Sequence, residues 1–321
     1  MAHDVFGASQ RSPAHAWLSA ALLFETLSLY ALLVGLIVWA VRADAGPYVL
    51  GPLTVAAGFW LDRMITVGHE AAHRKLFPEH PLLNDLCGAV VLAPLLVPLV
   101  VYRQIHGFHH GHNRRAPRIA TLDVVVLPPG PGPRRVLAWL VGWIAWILGV
   151  FCGGFYLHGL VSIVLFLLLP TALARRISPA FKHWRLRQRL RAWLELGLGV
   201  AFHLALARAL GLHLWLHACA LPTLAFAWIY TLFVYIYHYR APIGGDVRHN
   251  ARSLARNPLL SWVLLDFNEH ATHHADPRLP WYLLARRRVA VAPAPGEPRT
   301  ILAAVLYQLR GPVFVEQEAR E

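Results

Sequence analysis

The chain predicts an all-α fold, an integral membrane bundle of about six transmembrane helices capped by histidine-rich segments. Three observations predict it. Of its 321 residues 57% are hydrophobic and only 15% charged, with mean hydropathy +0.46, which is a membrane composition. The apolar residues gather into runs long enough to cross a bilayer. Three strings stand beside those runs: His69-Glu70-Ala71-Ala72-His73, His106-Gly107-Phe108-His109-His110 and His270-Ala271-Thr272-His273-His274.

The runs can be taken in order. Residues 17–41 form the first, closed by Arg42, and Asp44, Gly46 and Pro47 make a turn. A second run over 48–68 leads into the first histidine string. A helix rises about 1.5 Å per residue and the hydrocarbon core is about 30 Å thick, so each run is one crossing. The first run lacks a basic start and a cleavable core, and is expected to be a permanent span. Residues 82–101 are interrupted by Pro94 and Pro98 and preceded by Pro81. A clean crossing there would put the first two strings on opposite sides, so the stretch is expected to be interfacial or re-entrant. Residues 136–169 would measure about 50 Å as one helix, and Gly153-Gly154 offers a turn, giving two short spans. Residues 192–237 divide at Gly211 in the same way.

Charge orients this layout. The formal net charge is +13, and the loop 175–191 carries Arg175, Arg176, Lys182, Arg185, Arg187, Arg189 and Arg191. The proposed outer turns have only Arg42 and Arg208 nearby. The positive-inside rule places both termini, all three strings and the basic loop in the cytoplasm. Basic charge therefore faces anionic lipid, and no basic stretch interleaved with aromatics points to nucleic acid. Residues 1–290 are expected to form a single membrane domain and 291–321 a cytoplasmic C-terminal tail, a loop with a short peripheral helix. Arg-rich, Lys-poor usage suggests a GC-rich bacterial genome, hence a bacterial inner membrane. Cys87, Cys152 and Cys219 fit neither a zinc site nor a disulfide framework.

On a helix, positions i and i+3 or i+4 share a face, so each string aims two or three imidazoles at one point. Neutral imidazole suits iron, zinc, copper and nickel. The strings supply eight imidazoles, too many for one ion and right for two. His69–His73 also reads as HExxH, with Glu70 as the base of a zinc protease. Membrane zinc proteases add a distant Leu-Asp-Gly. Here Leu122-Asp123-Val124 and Leu265-Asp266-Phe267 lack the glycine, and a protease leaves the other strings unexplained.

The three strings resemble the histidine boxes of the membrane fatty acid desaturase superfamily, which includes acyl-lipid and acyl-CoA desaturases and related carotenoid ketolases and hydroxylases. Box one continues as HEAAHRKLF, similar to H(D/E)xxHxxxF. Box three, FNEHATHHADPRLPWYLL, is similar to N-x-H-x-x-H-H-x-x-P-x-x-P-W-Y-x-L. HNARSLARNPLL at 249–260 resembles the Asn-x-Arg-Ser/Thr segment that precedes box three in bacterial members. The resemblance covers roughly residues 45–290 and says little about substrate. It implies a ninth imidazole at the cytoplasmic end of the last span. His238 fits, and His249 is its rival.

The implied set is His69, His73, His106, His109, His110, His238, His270, His273 and His274, holding two iron ions (Fe2+/Fe3+). It implies an O2-dependent di-iron oxidoreductase that desaturates a fatty acyl or other lipid chain, or a hydroxylase or carotenoid ketolase of the same superfamily. Glu70 and Asn268, and also Asp123, are candidates for orienting imidazoles around the chemistry. The chain shows no His-Pro-Gly-Gly haem string, no nucleotide-binding glycine fingerprint and no iron–sulfur cysteine set. An external ferredoxin, rubredoxin or cytochrome is therefore implied as electron donor. A non-catalytic membrane metal-binding protein or carrier is the alternative of a different class. Carriers place their ligands at the bilayer midplane, whereas these boxes stand at span ends.

Weaker candidates are weighed against plainer roles. His112 lies at i+2 from His110 and points away on a helix. His203 sits in mid-span, where an interhelical hydrogen bond competes with a functional role. His158, His213 and His217 fall near outer ends. Trp139, Trp143 and Trp146 share a helix face suited to anchoring at a lipid interface. Arg248 and Arg252 would meet an anionic headgroup or line a basic face.

Overall fold

Helix α1 (Pro13–Arg42) and helix α2 (Pro47–Ala72) form an antiparallel pair joined by a turn in which Asp44 takes a left-handed conformation, φ 53°. Pro47 suits the first helical position, where its missing N–H costs nothing. The computed structural model describes residues 13–117, 121–289 and 296–316. From Trp60 to Ala72 every residue of α2 is buried, making it the central helix. Gly58 lets it approach the last long helix: a Cβ there would stand 2.9 Å from Ala225 Cβ. Trp60 Nε1 donates to the Thr26 carbonyl (2.7 Å). Arg63 pairs with Glu25 (2.6 Å) and lies between the rings of Trp60 and Trp262.

Helix α3 (Pro81–Leu92) and helix α4 (Leu99–His112) are bent against each other by 96°. The break holds Pro94, Pro98 and a left-handed Leu96, φ 55°. The helix is broken in this stretch, as the prolines predict. Its freed backbone groups are satisfied from elsewhere, as they must be away from water. The Glu195 carboxylate accepts from Val100 N–H (2.9 Å), and His203 Nε2 bonds the Pro94 carbonyl (3.0 Å). The mid-span histidine therefore has the plainer of its two roles.

Strand β1 (Val124–Leu127) precedes helix α5 (Pro133–Trp146) and helix α6 (Gly154–Leu168). The break expected within 136–169 falls at Gly153. The turn at Gly153, φ 73°, rests against Ala227 and Trp228. Trp146 packs on Tyr239 (5.0 Å between rings) and donates to the Gln308 carbonyl. Length and apolarity alone admit Pro133–Phe151 as a span. Strand β1, however, pairs in parallel with β2 (Val313–Glu316), and Gly142 and Trp143 of α5 pack on this two-stranded sheet. Open sheet edges are not tolerated in hydrocarbon. The sheet therefore lies outside the hydrocarbon, and α5 packs one face on it while most of its other apolar residues are exposed. Trp139 stacks near Phe314 and Trp143 meets Gly311, so these tryptophans pack on the C-terminal segment, with Trp139 still partly exposed.

Helix α7 (Thr171–Ile177) and the basic loop lead to α8 (Leu186–Leu210). Gly211, φ 84°, turns the chain into α9 (Leu212–Trp215), which continues through a π-helical turn into α10 (Leu221–Val234). By length and apolarity, α1, Pro133–Phe151, α8 and α9–α10 qualify as crossings, and the bent α3–α4 pair would make a fifth. Asp62 and Arg63 lower the hydropathy of α2, and its burial by the other helices is what accommodates them. The three histidine boxes come together at one end of the bundle.

Helices α11 (Pro258–Val263), α12 (His270–Ala275) and α13 (Trp281–Leu284) cap that end. Helix α14 (Ile301–Tyr307) buries Ile301 and Ala304 against Ile236, Tyr237 and Leu254, and Gln308 Nε2 donates to the Leu232 carbonyl. Residues 296–316 are thus packed into the membrane domain. The remainder of the expected tail, 290–295 and 317–321, lies outside the described residues.

Candidate metal centre

Each box stands where a helix ends at the cap. His69 and His73 close α2, His106, His109 and His110 occupy the last two turns of α4, and His270, His273 and His274 form half of α12. His238 lies in the turns beyond α10. Arg74, Arg114, Arg240 and the pair Leu265–Asp266 all take left-handed backbone, φ between 49° and 59°. Every histidine segment is thus flanked by non-glycine residues in a costly conformation, the kind of strain that concentrates at functional sites.

The nine imidazoles fall into two groups. His69, His73, His106, His110 and His273 form one, and His109, His238, His270 and His274 the other; within each, the nitrogens lie within 4.8 Å of one another. In the first, Nε2 atoms face each other at 3.0 Å (His69–His273), 2.9 Å (His73–His106) and 3.0 Å (His110–His273). In the second the spacings are 2.8 Å (His238–His270) and 3.1 Å (His270–His274). The groups adjoin, with the rings of His110 and His274 4.4 Å apart. Burial lowers the proton affinity of the cap imidazoles. His109 is pushed down to about 4 by burial and then by charge at His69, and His270, His273 and His274 are lowered for the same first reason. They are neutral near pH 7, with lone pairs free. A donor set of nitrogen alone, without thiolate, fits iron, and zinc or copper equally.

The outer residues sort the sequence candidates. Glu70 Oε1 lies 3.3 Å from His69 Nδ1 and pairs with the buried Lys75 ammonium (2.6 Å), and its other oxygen accepts from Trp281 N–H (3.1 Å). Burial raises the Glu70 carboxyl, but Lys75 and His69 outweigh it and leave the group below its ordinary range. Glu70 thus stands beside His69, whose Nδ1 makes no hydrogen bond among the described residues. Asn268 is not placed to orient an imidazole: it accepts from Ser261 Oγ (2.8 Å) and donates to the Leu254 carbonyl and to Glu269 (both 3.3 Å). Asp123 accepts from Arg114, Tyr235 Oη (2.7 Å) and Arg240 N–H (2.8 Å), likewise without touching an imidazole. His249 is exposed and bonds Asp246 (2.8 Å), and His112 turns back to the Phe108 carbonyl. Arg252 is buried on Glu297, away from any headgroup.

Asn250 is the residue that sequence reasoning left without a role. Its carbonyl contacts His238 Nδ1 (3.2 Å) and accepts from Asn113, and its amide donates to the carbonyls of Asn113, Arg114 and Gly244. It fastens the end of box two to the ninth imidazole. The HNARS string was the available signal.

Both groups open onto one apolar cavity of about 400 Å³, lined by α2, α4, α6, α10 and the approach to box three. Its wall includes His69 and His106 of the first group and His109, His238 and His270 of the second. That volume falls in the range of small-molecule sites, about 300–1,000 Å³.

Comparison with known families decides the assignment. The family model described as fatty acid desaturase matches residues 44–302. The chain belongs to the fatty acid desaturase family. Curated relatives of this desaturase-family chain include the sn-1 oleoyl-lipid 12-desaturase of Anabaena variabilis, 31% identical over 88 residues (27% of this chain, 24% of the relative). The same-named enzyme of Synechocystis sp. is 34% identical over 70 residues (22% and 20%). The oleoyl-12-hydroxylase of Ricinus communis is 28% identical over 91 residues (26% and 23%). The aligned stretches span about a quarter or less of these relatives' lengths.

Two expectations follow from the outer residues. His238→Ala is expected to lower bound metal and His249→Ala to leave it unchanged, both read by elemental analysis; equal loss would reinstate His249. Glu70→Ala is expected to weaken metal binding by about 10–100-fold, the usual cost of losing a residue that orients a ligand, read by chelator competition. Unaltered affinity would reduce Glu70 to a partner of Lys75.

Proposed function

We propose that this protein is a membrane di-iron enzyme that uses O2 and external electrons to desaturate a fatty acyl or lipid chain. The observation that carries the reading is the apolar cavity whose wall reaches imidazoles of both groups. A hydrocarbon chain threaded there lies against both metal positions at once. The five-imidazole group would hold one iron and the four-imidazole group the other. Two irons supply the oxidant that breaking an unactivated C–H bond requires and that side chains lack.

The protein's own residues do the positioning. Val97, Val101 and Phe233 line the chain's path and exclude water. Tyr156 and Tyr235, whose hydroxyls are tied to the Leu95 carbonyl and to Asp123, hold the wall rigid. Tyr102 stacks on His106 (5.5 Å) and Phe267 meets the His69 ring edge-on (5.1 Å), fixing imidazole planes. Electrons come from a separate acidic ferredoxin, rubredoxin or cytochrome. The exposed Arg286, Arg287 and Arg288 just beyond box three offer it complementary charge. In this reading the box end faces the cytoplasm of a bacterial inner membrane.

Hydroxylation is the second reading, favoured by the similarity to an oleoyl-12-hydroxylase. A carotenoid ketolase would need the same two metal positions. A metal carrier accounts for neither the cavity nor the position of both groups at helix ends.

The test joins metal content to product. Purified protein is expected to hold two irons per chain, one for each imidazole group, and lipid extracts of expressing cells to gain double bonds. One zinc and no iron after anaerobic iron loading, with lipids unaltered, would overturn the proposal. New hydroxyls in place of double bonds would select the second reading.

A further inference from the structure

Asp62 is the one carboxylic acid in the wall of the apolar cavity. It lies on the α2 stripe of Ile65, Thr66 and His69, which all line that wall. Seven residues separate it from His69, about 10 Å along the helix. The residue is only 5% exposed. Among the described residues its carboxyl has no ion-pair or hydrogen-bond partner. Thr66 Oγ1 reaches only its backbone carbonyl (2.9 Å), and neighbouring Arg63 turns away to Glu25.

Three phenols share this condition. Tyr102, Tyr230 and Tyr237 line the same cavity. The Tyr237 hydroxyl is buried without a partner, and no protein atom among the described residues accepts from Tyr102 or Tyr230. Tyr156 and Tyr235, in the same wall, do have partners. Buried polar groups are bonded in the great majority of cases. Four groups around one cavity, a carboxyl and three phenols, without a partner among the described residues therefore point to a polar group that arrives from outside.

We propose that Asp62, Tyr102, Tyr230 and Tyr237 seat a hydroxyl group carried by the substrate, so that the preferred substrate is a hydroxylated lipid chain. The inference rests on the cavity being the acyl-chain site. A hydroxyl matches the seat because it donates and accepts. Its proton goes to the carboxyl group, and its oxygen, with two lone pairs, accepts from two of the phenols. A ketone or ether oxygen would leave the carboxylate without a donor, and a plain methylene would leave all four groups unsatisfied. The seat fixes how far the chain threads past the metal groups, and with it which carbon is presented.

The experiment is displacement of a fluorescent fatty acid from the full-length, metal-loaded protein in lipid nanodiscs. The competitors are one saturated fatty acid and its positional monohydroxy isomers. One isomer, or a narrow set, is expected to bind about tenfold or more tighter than the plain acid, as a hydrogen bond to a charged group allows. That ratio is expected to fall toward one in Asp62→Leu and in Tyr230→Phe, each checked for retained metal so that misfolding is recognised. Equal binding of all isomers and the plain acid, or an advantage that survives in both variants, would overturn the seat and leave water as its occupant. Failure of every fatty acid to displace the probe would instead bring down the acyl-chain reading of the cavity, and the seat with it.

Discussion

His109→Ala leaves the protein folded in the membrane and reduces oxidised product by at least about 100-fold. His109 is one of only four imidazoles in its group, and its ring also lines the substrate cavity. Loss of residues that merely orient a ligand already costs about 10–100-fold, so loss of a ligand costs more. The five-imidazole group is untouched, and bound iron is expected to fall from two toward one per chain. Folding survives because His109 is half-buried and its ring packs chiefly on other imidazoles. Product analysis and elemental analysis on the same preparation check this. Undiminished product would remove His109 from the site.

Asp123→Ala is expected to have the largest effect on stability. Asp123 is fully buried and the Arg114 guanidinium is 1% exposed. Removing the carboxylate strands that cation, the Tyr235 hydroxyl and Arg240 N–H together. Breaking a buried pair from one side costs about 3–5 kcal/mol, because an uncompensated charge stays behind. Asp123→Asn keeps acceptor capacity and is expected to lose less. Unfolding in detergent, followed by loss of tryptophan burial, measures both. A loss for Asp123→Ala within about 1 kcal/mol of zero, as for an exposed pair, would show that water reaches Arg114. The pair joins the segment after box two to the turn that carries His238, so metal affinity is expected to fall with stability.

The candidate site was largely legible in the sequence because it is local. The spacings 69/73, 106/109/110 and 270/273/274 are helical periods, and a helix places such residues on one face without help from the rest of the chain. The proline break over 82–101 was legible for the same reason, since proline acts on its own turn. His238 was reachable only through family resemblance. Nothing within its own neighbourhood distinguishes it from His249, and the choice depends on a contact with Asn250 and a ring 32 residues away. Asn268 was misjudged because adjacency in sequence to His270 says nothing about direction. Its side chain points to Ser261 and Leu254, on the far side from the imidazoles.

The packing of apolar segments shows the opposite limit. Hydropathy measures how well a segment tolerates lipid, and by that measure α5 qualifies as a span while α2 does not. Helix α5 meets the two-stranded sheet at Gly142 and leaves most of its other apolar residues exposed. Helix α2 carries Asp62 and Arg63 because other helices shield it from lipid. What the sequence determined by itself was the membrane bundle, the family and eight of the nine imidazoles, since composition and helical period act over a few residues. What only the tertiary structure decided was the division of the imidazoles into five and four, the packing of α5 on the two-stranded sheet, and the cavity with its unpaired carboxyl. Those depend on which faces meet across long stretches of chain, and no local spacing encodes that.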